Sequence, residues 1–190
     1  MQFQNQKKTF LKKLDKSKKG EIDKPIKQLI KIINKSKNYY TTSSCSGRIV
    51  LLAKKPGKKK GSKWLLSSHK KINLKQANSA LKSILETDVY FRFEPLILHV
   101  AAKSIEDAQR LINKTRDIGF KRTGIQSTKN KIIIEIASTE ILNTIIAKNK
   151  KLLVDNSYLK ILIKEANKKL EQNNKKIKRF ENQLKFITSC

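Results

Sequence analysis

The stretch Thr41-Thr42-Ser43-Ser44-Cys45-Ser46-Gly47-Arg48 sets hydroxyls, one glycine and a guanidinium between two β-prone runs. Serine hydroxyls and turn amides suit a carboxylate, a phosphate or a ribose, and Arg48 adds a planar fork for either anion. The plainer alternative is a satisfied hairpin turn with a solvated arginine. A dinucleotide or phosphate loop needs several glycines and a following helix. Here Gly47 stands alone and a strand follows, which excludes both motifs. Four more residues stand out by type. Trp64 is the single tryptophan. His69 follows Ser68 at a strand end beside lysines, placed as a base or a phosphate contact. Glu94 precedes Pro95 in a strand-like run of a chain poor in acids, and a cleft carboxylate is costly unless paired. His99 lies in an apolar run, where a core histidine with a satisfied ring is the plain expectation. Cys45 and Cys190 are too few for a disulfide framework and lie at no metal spacing from the histidines, so no metal site is expected. Cys45 has no evident base beside it and reads as packing within the turn.

The elements that must carry these groups follow from periodicity. Residues 2–15 read as an amphipathic helix through Phe3, Phe10 and Leu14. Asp23 and Pro25 start a second helix, with the aspartate as N-cap and Ile26, Leu29, Ile30 and Ile33 on one face. Tyr39–Thr42 and Arg48–Ala53 are strands flanking the serine-rich turn, and Lys63–Ser68 is another. Between the last two lies the basic, turn-rich loop KKPGKKKGSK. A helix over 74–86 leads to VYFRFEPLILHVAA, strand-like with Pro95 as an edge, bulge or bend residue. Ser104 caps a helix over 105–119, with Asp107 completing an approximate capping box and Gly119 closing it. Residues 120–127 and 132–138 form a hairpin. From Tyr158 to Ile187 the apolar residues alternate at four and three, a helix seam with Asn173 in one slot. The expected fold is α/β (α+β): a mixed β-sheet of tandem β-α-β-β units with helices mainly on one side, plus N-terminal helices packed with a long C-terminal helix. The expected organisation is a single domain over 1–190, with N-terminal helices in 1–36, an α/β core in 37–146 and a bracing helix in 155–188.

The chain has 190 residues, with 44 basic and 15 acidic side chains and a net charge of +29. A polyanionic partner is the usual meaning of such a balance. Only six of the basic residues are arginine, so the lysine count also reflects compositional bias. The bias does not explain the scarcity of acids. No apolar run reaches the length of a membrane span, and MQFQNQKKTF lacks the apolar centre of a signal peptide. A soluble, cytoplasmic protein is expected.

Read in order, the motifs resemble a known family. DKSKKGEID, TTSSCSGR, Trp64 with Ser68-His69, FRFEPLILHV, GFKRTGI, EIAST and LLVDNSYL follow one another as in the wybutosine-synthesis methyltransferases, which act third in making the tricyclic base of phenylalanine tRNA. The resemblance covers residues 3 to about 185. It implies S-adenosyl-L-methionine as cofactor and methylation of a ring nitrogen in the modified guanosine beside the anticodon. Its matched residues are Ser44, Cys45, Ser46, Gly47, Arg48, Trp64, His69, Glu94, Pro95, His99 and Gly124. From these, Ser44, Ser46, Arg48, Trp64, Pro95 and His99 are expected to hold the cofactor, and His69 or Glu94 to take the ring proton. Lys19, Lys54, Lys55, Lys58, Lys59, Lys60 and Lys63 are expected to grip the anticodon stem-loop by its phosphates. Trp64 would stack on adenine or on the target base. The sequence departs from the family at Lys103, where arginine is common, at Leu96 in place of a second proline, and in EILNTII, which lacks a proline. Two rival readings remain: a non-enzymatic basic RNA- or DNA-binding protein, and a tRNA-modification protein whose cofactor site has decayed. The enzyme reading carries a spatial expectation, that the serine turn, the indole, the imidazole and Glu94 share one cleft.

Overall fold

The computed structural model describes residues 2–12, 22–54, 62–82 and 88–185. Its helices are α1 (Gln2–Leu11), α2 (Lys27–Lys35), α3 (Leu74–Leu81), α4 (Ile105–Ile118) and α5 (Asn156–Lys185). Its strands are β1 (Tyr39–Cys45), β2 (Arg48–Lys54), β3 (Lys63–Ser68), β4 (Asp88–Glu94), β5 (Ile97–Ala102), β6 (Gly124–Ser127), β7 (Ile132–Ala137), β8 (Leu142–Lys148) and β9 (Lys151–Leu152). The α+β class is the one read from the sequence. The strands divide between two sheets, ordered β1-β5-β7-β6 and β3-β2-β4-β8-β9. Every pairing is antiparallel. The Ser46-Gly47 turn is therefore no hairpin, since β1 and β2 belong to different sheets. The same holds across Pro95-Leu96, where β4 ends in one sheet and β5 begins in the other. Proline and a positive-φ glycine (Gly47, φ 96°) suit such crossings, because neither extends a ladder.

The chain forms two compact units, the first comprising Met1–Ser46, Leu96–Thr139 and Asn174–Cys190. Its core joins Leu29 and Ile33 of α2, Leu98 and Val100 of β5, Ile134 and Ile136 of β7, Leu111 of α4, and Ile177 and Phe180 of α5. Phe120 packs on Phe180 with ring centroids 5.6 Å apart. Helix α1 lays Phe3 and Phe10 on Tyr40 and sends the Lys7 ammonium to the Ser36 carbonyl, at the C-cap of α2. Burial lowers the pKa of that lysine. Asp23 is not the helix cap expected of it: its side chain makes no cap bond, and Oδ2 accepts the backbone N–H of Ser46 at 2.9 Å. Ser104 does cap α4, accepting from the Asp107 N–H at 3.2 Å. At the other end Gly119 adopts φ 111°, and the Lys176 ammonium donates to its carbonyl at 3.2 Å. The Tyr39 hydroxyl donates to the Asp107 carbonyl at 2.8 Å. Burial, with the Asp107 carboxylate nearby, pushes its phenol up to about 12, against a smaller opposing effect of Arg110.

The second unit comprises Gly47–Pro95 and Glu140–Asn173. Strand β4 alternates strictly, with Val89, Phe91 and Phe93 buried and Asp88, Tyr90, Arg92 and Glu94 partly exposed. The buried set joins Ile49 and Leu51 of β2, Ala77 of α3, and Leu159, Ile163, Ala166 and Leu170 of α5. Burying each phenylalanine contributes about 1.5–3 kcal/mol. Asn73 and Gln76 form a capping box at the start of α3. Seam residues 159–170 thus fill this core, while Ile177, Phe180 and Leu184 share the other with α2. Among the described residues no helix is long and apolar enough to cross a membrane.

Candidate functional site

Period-two alternation builds a polar cluster in the second unit. Phe91 and Phe93 point into the core, so Arg92 and Glu94 must lie on the opposite face. Strand β2 runs antiparallel beside β4 with Arg48 opposite Glu94. The Arg48 Nε donates to Glu94 Oε2 at 2.8 Å, and an Arg92 terminal nitrogen lies 3.2 Å from Glu94 Oε1. Both carboxylate oxygens are therefore held by guanidinium groups. The Arg48 guanidinium carbon also stands 4.1 Å from the centroid of the Trp64 ring. Trp64, on β3 opposite Leu52, remains 50% exposed. The Arg48 terminal nitrogens have no hydrogen bond to any described residue, and Arg92 Nε is buried without a partner. Two cations against one anion leave the cluster positive, with donors to spare. His69 belongs to the same unit; its Nδ1 lies 2.8 Å from the Gly47 carbonyl and donates to it. Lys54 and Lys63 close β2 and β3 around the segment 55–61. Lys19, Lys55, Lys58, Lys59 and Lys60 lie outside the described residues.

A second polar group lies in the first unit, on three adjacent strands. Ser43 of β1 stands opposite His99 of β5, which stands opposite Glu135 of β7. Ser43 Oγ is 2.6 Å from His99 Nδ1, and His99 Nε2 is 3.0 Å from Glu135 Oε2. A bulge between Thr41 and Ser43 sets this register; without it Thr42 would face His99. The ring of His99 is satisfied, as its apolar surroundings in the sequence suggest, but it is not core: its side chain keeps 22% exposure. Ser44 is half-buried and pairs with Leu98 of β5, on the opposite face of the sheet. Ser46 is fully buried, with its N–H committed to Asp23.

Of the residues expected to hold the cofactor or take the proton, Arg48, Trp64, His69, Glu94 and Pro95 belong to the second unit, and Ser44, Ser46 and His99 to the first. Glu135, Arg92, Ser43 and Asp23 are not among the candidate site residues read from the sequence. The first two carried a usable signal. Glu135 is an acid inside the apolar run IIIEIA, as Glu94 is in its own strand, and Arg92 shares the parity of Glu94.

Comparison with known proteins agrees over nearly the whole chain. Residues 5–186 match the family described as "Methyltransferase TYW3". A Xenopus laevis protein named "tRNA wybutosine-synthesizing protein 3 homolog" is 37% identical over 96% of this chain and 74% of its own length. A Pyrococcus furiosus protein named "tRNA(Phe) 7-((3-amino-3-carboxypropyl)-4-demethylwyosine(37)-N(4))-methyltransferase 1" is 39% identical over 87% of this chain and 86% of its own. The solved structure of the PH1069 protein from Pyrococcus horikoshii superposes with a TM-score of 0.89 at 37% identity, covering 96% of this chain and 94% of that one.

Proposed function

This chain belongs to the methyltransferase TYW3 family, and from that premise we propose that it methylates N4 of 7-(3-amino-3-carboxypropyl)-4-demethylwyosine at position 37 of tRNA(Phe), the reaction in the name of its Pyrococcus relative. S-adenosylmethionine, when bound, supplies a methyl group already activated as a sulfonium. The chain's task is then alignment, desolvation and removal of one proton.

The observation that carries the reading is the Arg48–Glu94–Arg92–Trp64 cluster, whose donor set fits this cofactor. The open terminal nitrogens of Arg48 match the methionine carboxylate, and the exposed indole offers a plane for adenine. The net positive charge favours the carboxylate end over the sulfonium end at this point. Glu94 is proposed to hold Arg48 and Arg92 in place, since both of its oxygens are already engaged. His69, its ring fixed by the Gly47 carbonyl, is proposed to line the same unit as a ligand contact. Ser46 supports the chain crossing at Gly47, with Asp23 as its anchor. Pro95 ends β4 next to Glu94, and Ser44 is kept as a hydroxyl contact. Lys54 and Lys63, with the basic segment between them, are proposed to meet phosphates of the anticodon stem-loop.

Incubating the protein with S-adenosylmethionine and tRNA(Phe) carrying the N4-demethyl precursor tests this. Nucleoside mass spectrometry should show the precursor converted to its methylated form. Calorimetry with S-adenosylhomocysteine should show binding that Arg48→Gln weakens while tRNA affinity holds. An Arg48→Gln protein that keeps its cofactor affinity but loses tRNA would move the guanidinium to a phosphate. No cofactor binding and no product, with tRNA still bound, would leave a binding protein.

A further inference from the structure

The second unit carries a groove that the cofactor cluster does not use. It encloses about 480 Å³ and lies between α5 and the start of α3. Leu74 and Ile163 form its apolar part, and Lys71, Lys160, Lys164 and Lys168 supply its positive charge. All of these residues lie within Gly47–Pro95 or Glu140–Asn173. Four-residue spacing puts Lys160, Lys164 and Lys168 on one face of α5, and all three are exposed. At a rise of about 1.5 Å per residue the row spans about 12 Å. Asn167 ties the facing segment to the helix: it accepts the Ile72 N–H at 3.0 Å and donates to the Ile72 carbonyl at 2.9 Å, next to Lys71.

The charges along α5 are sorted. Glu165 and Glu181 engage Lys169 and Lys178 on the same helix, and Glu171 engages Lys71. Lys160, Lys164 and Lys168 pair with no acid among the described residues. Like charges four apart destabilise a helix, so the row works against the element that carries it. A compact anion needs donors that converge. Here the ammonium groups stand in a line, and the Gln76 amide in the first turn of α3 is taken by the Asn73 side chain. A line of point charges fits a polymer of phosphates. A duplex strand presents a phosphate about every 3.4 Å of axis, so about 12 Å faces three or four of them.

We propose that this groove is a docking surface for the tRNA backbone, with Lys160, Lys164 and Lys168 meeting phosphates of one strand. It rests on the tRNA methyltransferase reading for the identity of the polyanion, and adds a second grip to that of Lys54 and Lys63.

Fluorescence anisotropy of labelled tRNA(Phe), titrated at several salt concentrations, tests the groove. Lys160→Gln, Lys164→Gln and Lys168→Gln together should weaken binding about 10-fold or more at about 0.1 M salt, and lower the slope of log affinity against log salt by about two to three. Lys164→Gln alone should lower it by about one. Affinity for S-adenosylhomocysteine should hold, and the urea midpoint should hold or rise as repulsion along α5 is relieved. A second triple variant, Lys114→Gln, Lys121→Gln and Lys129→Gln, makes the same change in net charge on exposed lysines of the first unit and should move the slope by less than about one. An unchanged slope in the α5 variants, or equal losses in both triple variants, overturns the groove while the methyltransferase reading stands. Because the slope is read from binding, a wild-type protein that binds tRNA and transfers no methyl group overturns the enzyme reading alone.

Discussion

Glu94→Gln separates two roles for the carboxylate. In the structure Glu94 accepts from Arg48 at 2.8 Å and lies 3.2 Å from Arg92. Glutamine keeps one carbonyl acceptor and turns an amide NH2 toward the other guanidinium, so one of the two bonds is lost. Hydrogen bonds to charged groups are worth about 1.5–3 kcal/mol, and exposure of 22–33% in these side chains screens them toward the lower end. A loss of about 1–2 kcal/mol falls on the placement of Arg48, or roughly 5- to 30-fold in cofactor affinity. The single-turnover rate at saturating cofactor should stay within about threefold of wild type, because no proton acceptor has been removed. Calorimetry with S-adenosylhomocysteine and rapid-quench methyl transfer read the two quantities separately. The opposite pattern, unchanged affinity with a rate down about 100-fold or more, would make Glu94 the base and refute the reasoning.

Gly119→Ala should destabilise the fold by about 1–2 kcal/mol in urea unfolding, because a side chain is strained at φ 111°. The new Cβ would stand 3.5 Å from Lys176 Cε, an ordinary contact, so the cost is conformational and not steric. Tyr39 has a phenol raised from 10.0 to about 12 in the fold. Its contribution to stability is complete below pH 10 and is lost as pH rises from 10 through about 12. Urea midpoints measured across that window should fall less steeply in Tyr39→Phe than in wild type; equal slopes would remove Tyr39 from the account.

Helices were the most legible part of the sequence. The Ser104 cap and Gly119 stop of α4 carry local signals strong enough to act without tertiary help, and both are found. The period of α5 was equally plain, but the division of its seam between two cores was not, because periodicity names a face and not its partner. Strand pairing was the least legible. β1 and β2 are separated by two residues and look like a hairpin, yet they enter different sheets. Strand β8 is not legible in the sequence, since Asn143 and Thr144 interrupt its apolar pattern and its pairing with β4 is non-local. Asp23 shows how tertiary demand overrides a local role: its carboxylate satisfies the amide of Ser46, in a distant motif, in place of its own helix. Motif order singles out Arg48, Trp64 and Glu94 as candidates, but only the strand register brings Arg48 and Glu94 into contact.

The chain passes from one unit to the other at Ser46-Gly47, Pro95-Leu96, Thr139-Glu140 and Asn173-Asn174. No single cut of the chain separates the two units from each other. Helix α5, made last of the described elements, supplies Leu159–Leu170 to one core and Ile177–Leu184 to the other. On the ribosome both halves must wait, unfinished, for the same closing helix, so a message broken shortly before its codons would release two incomplete cores and not one finished domain.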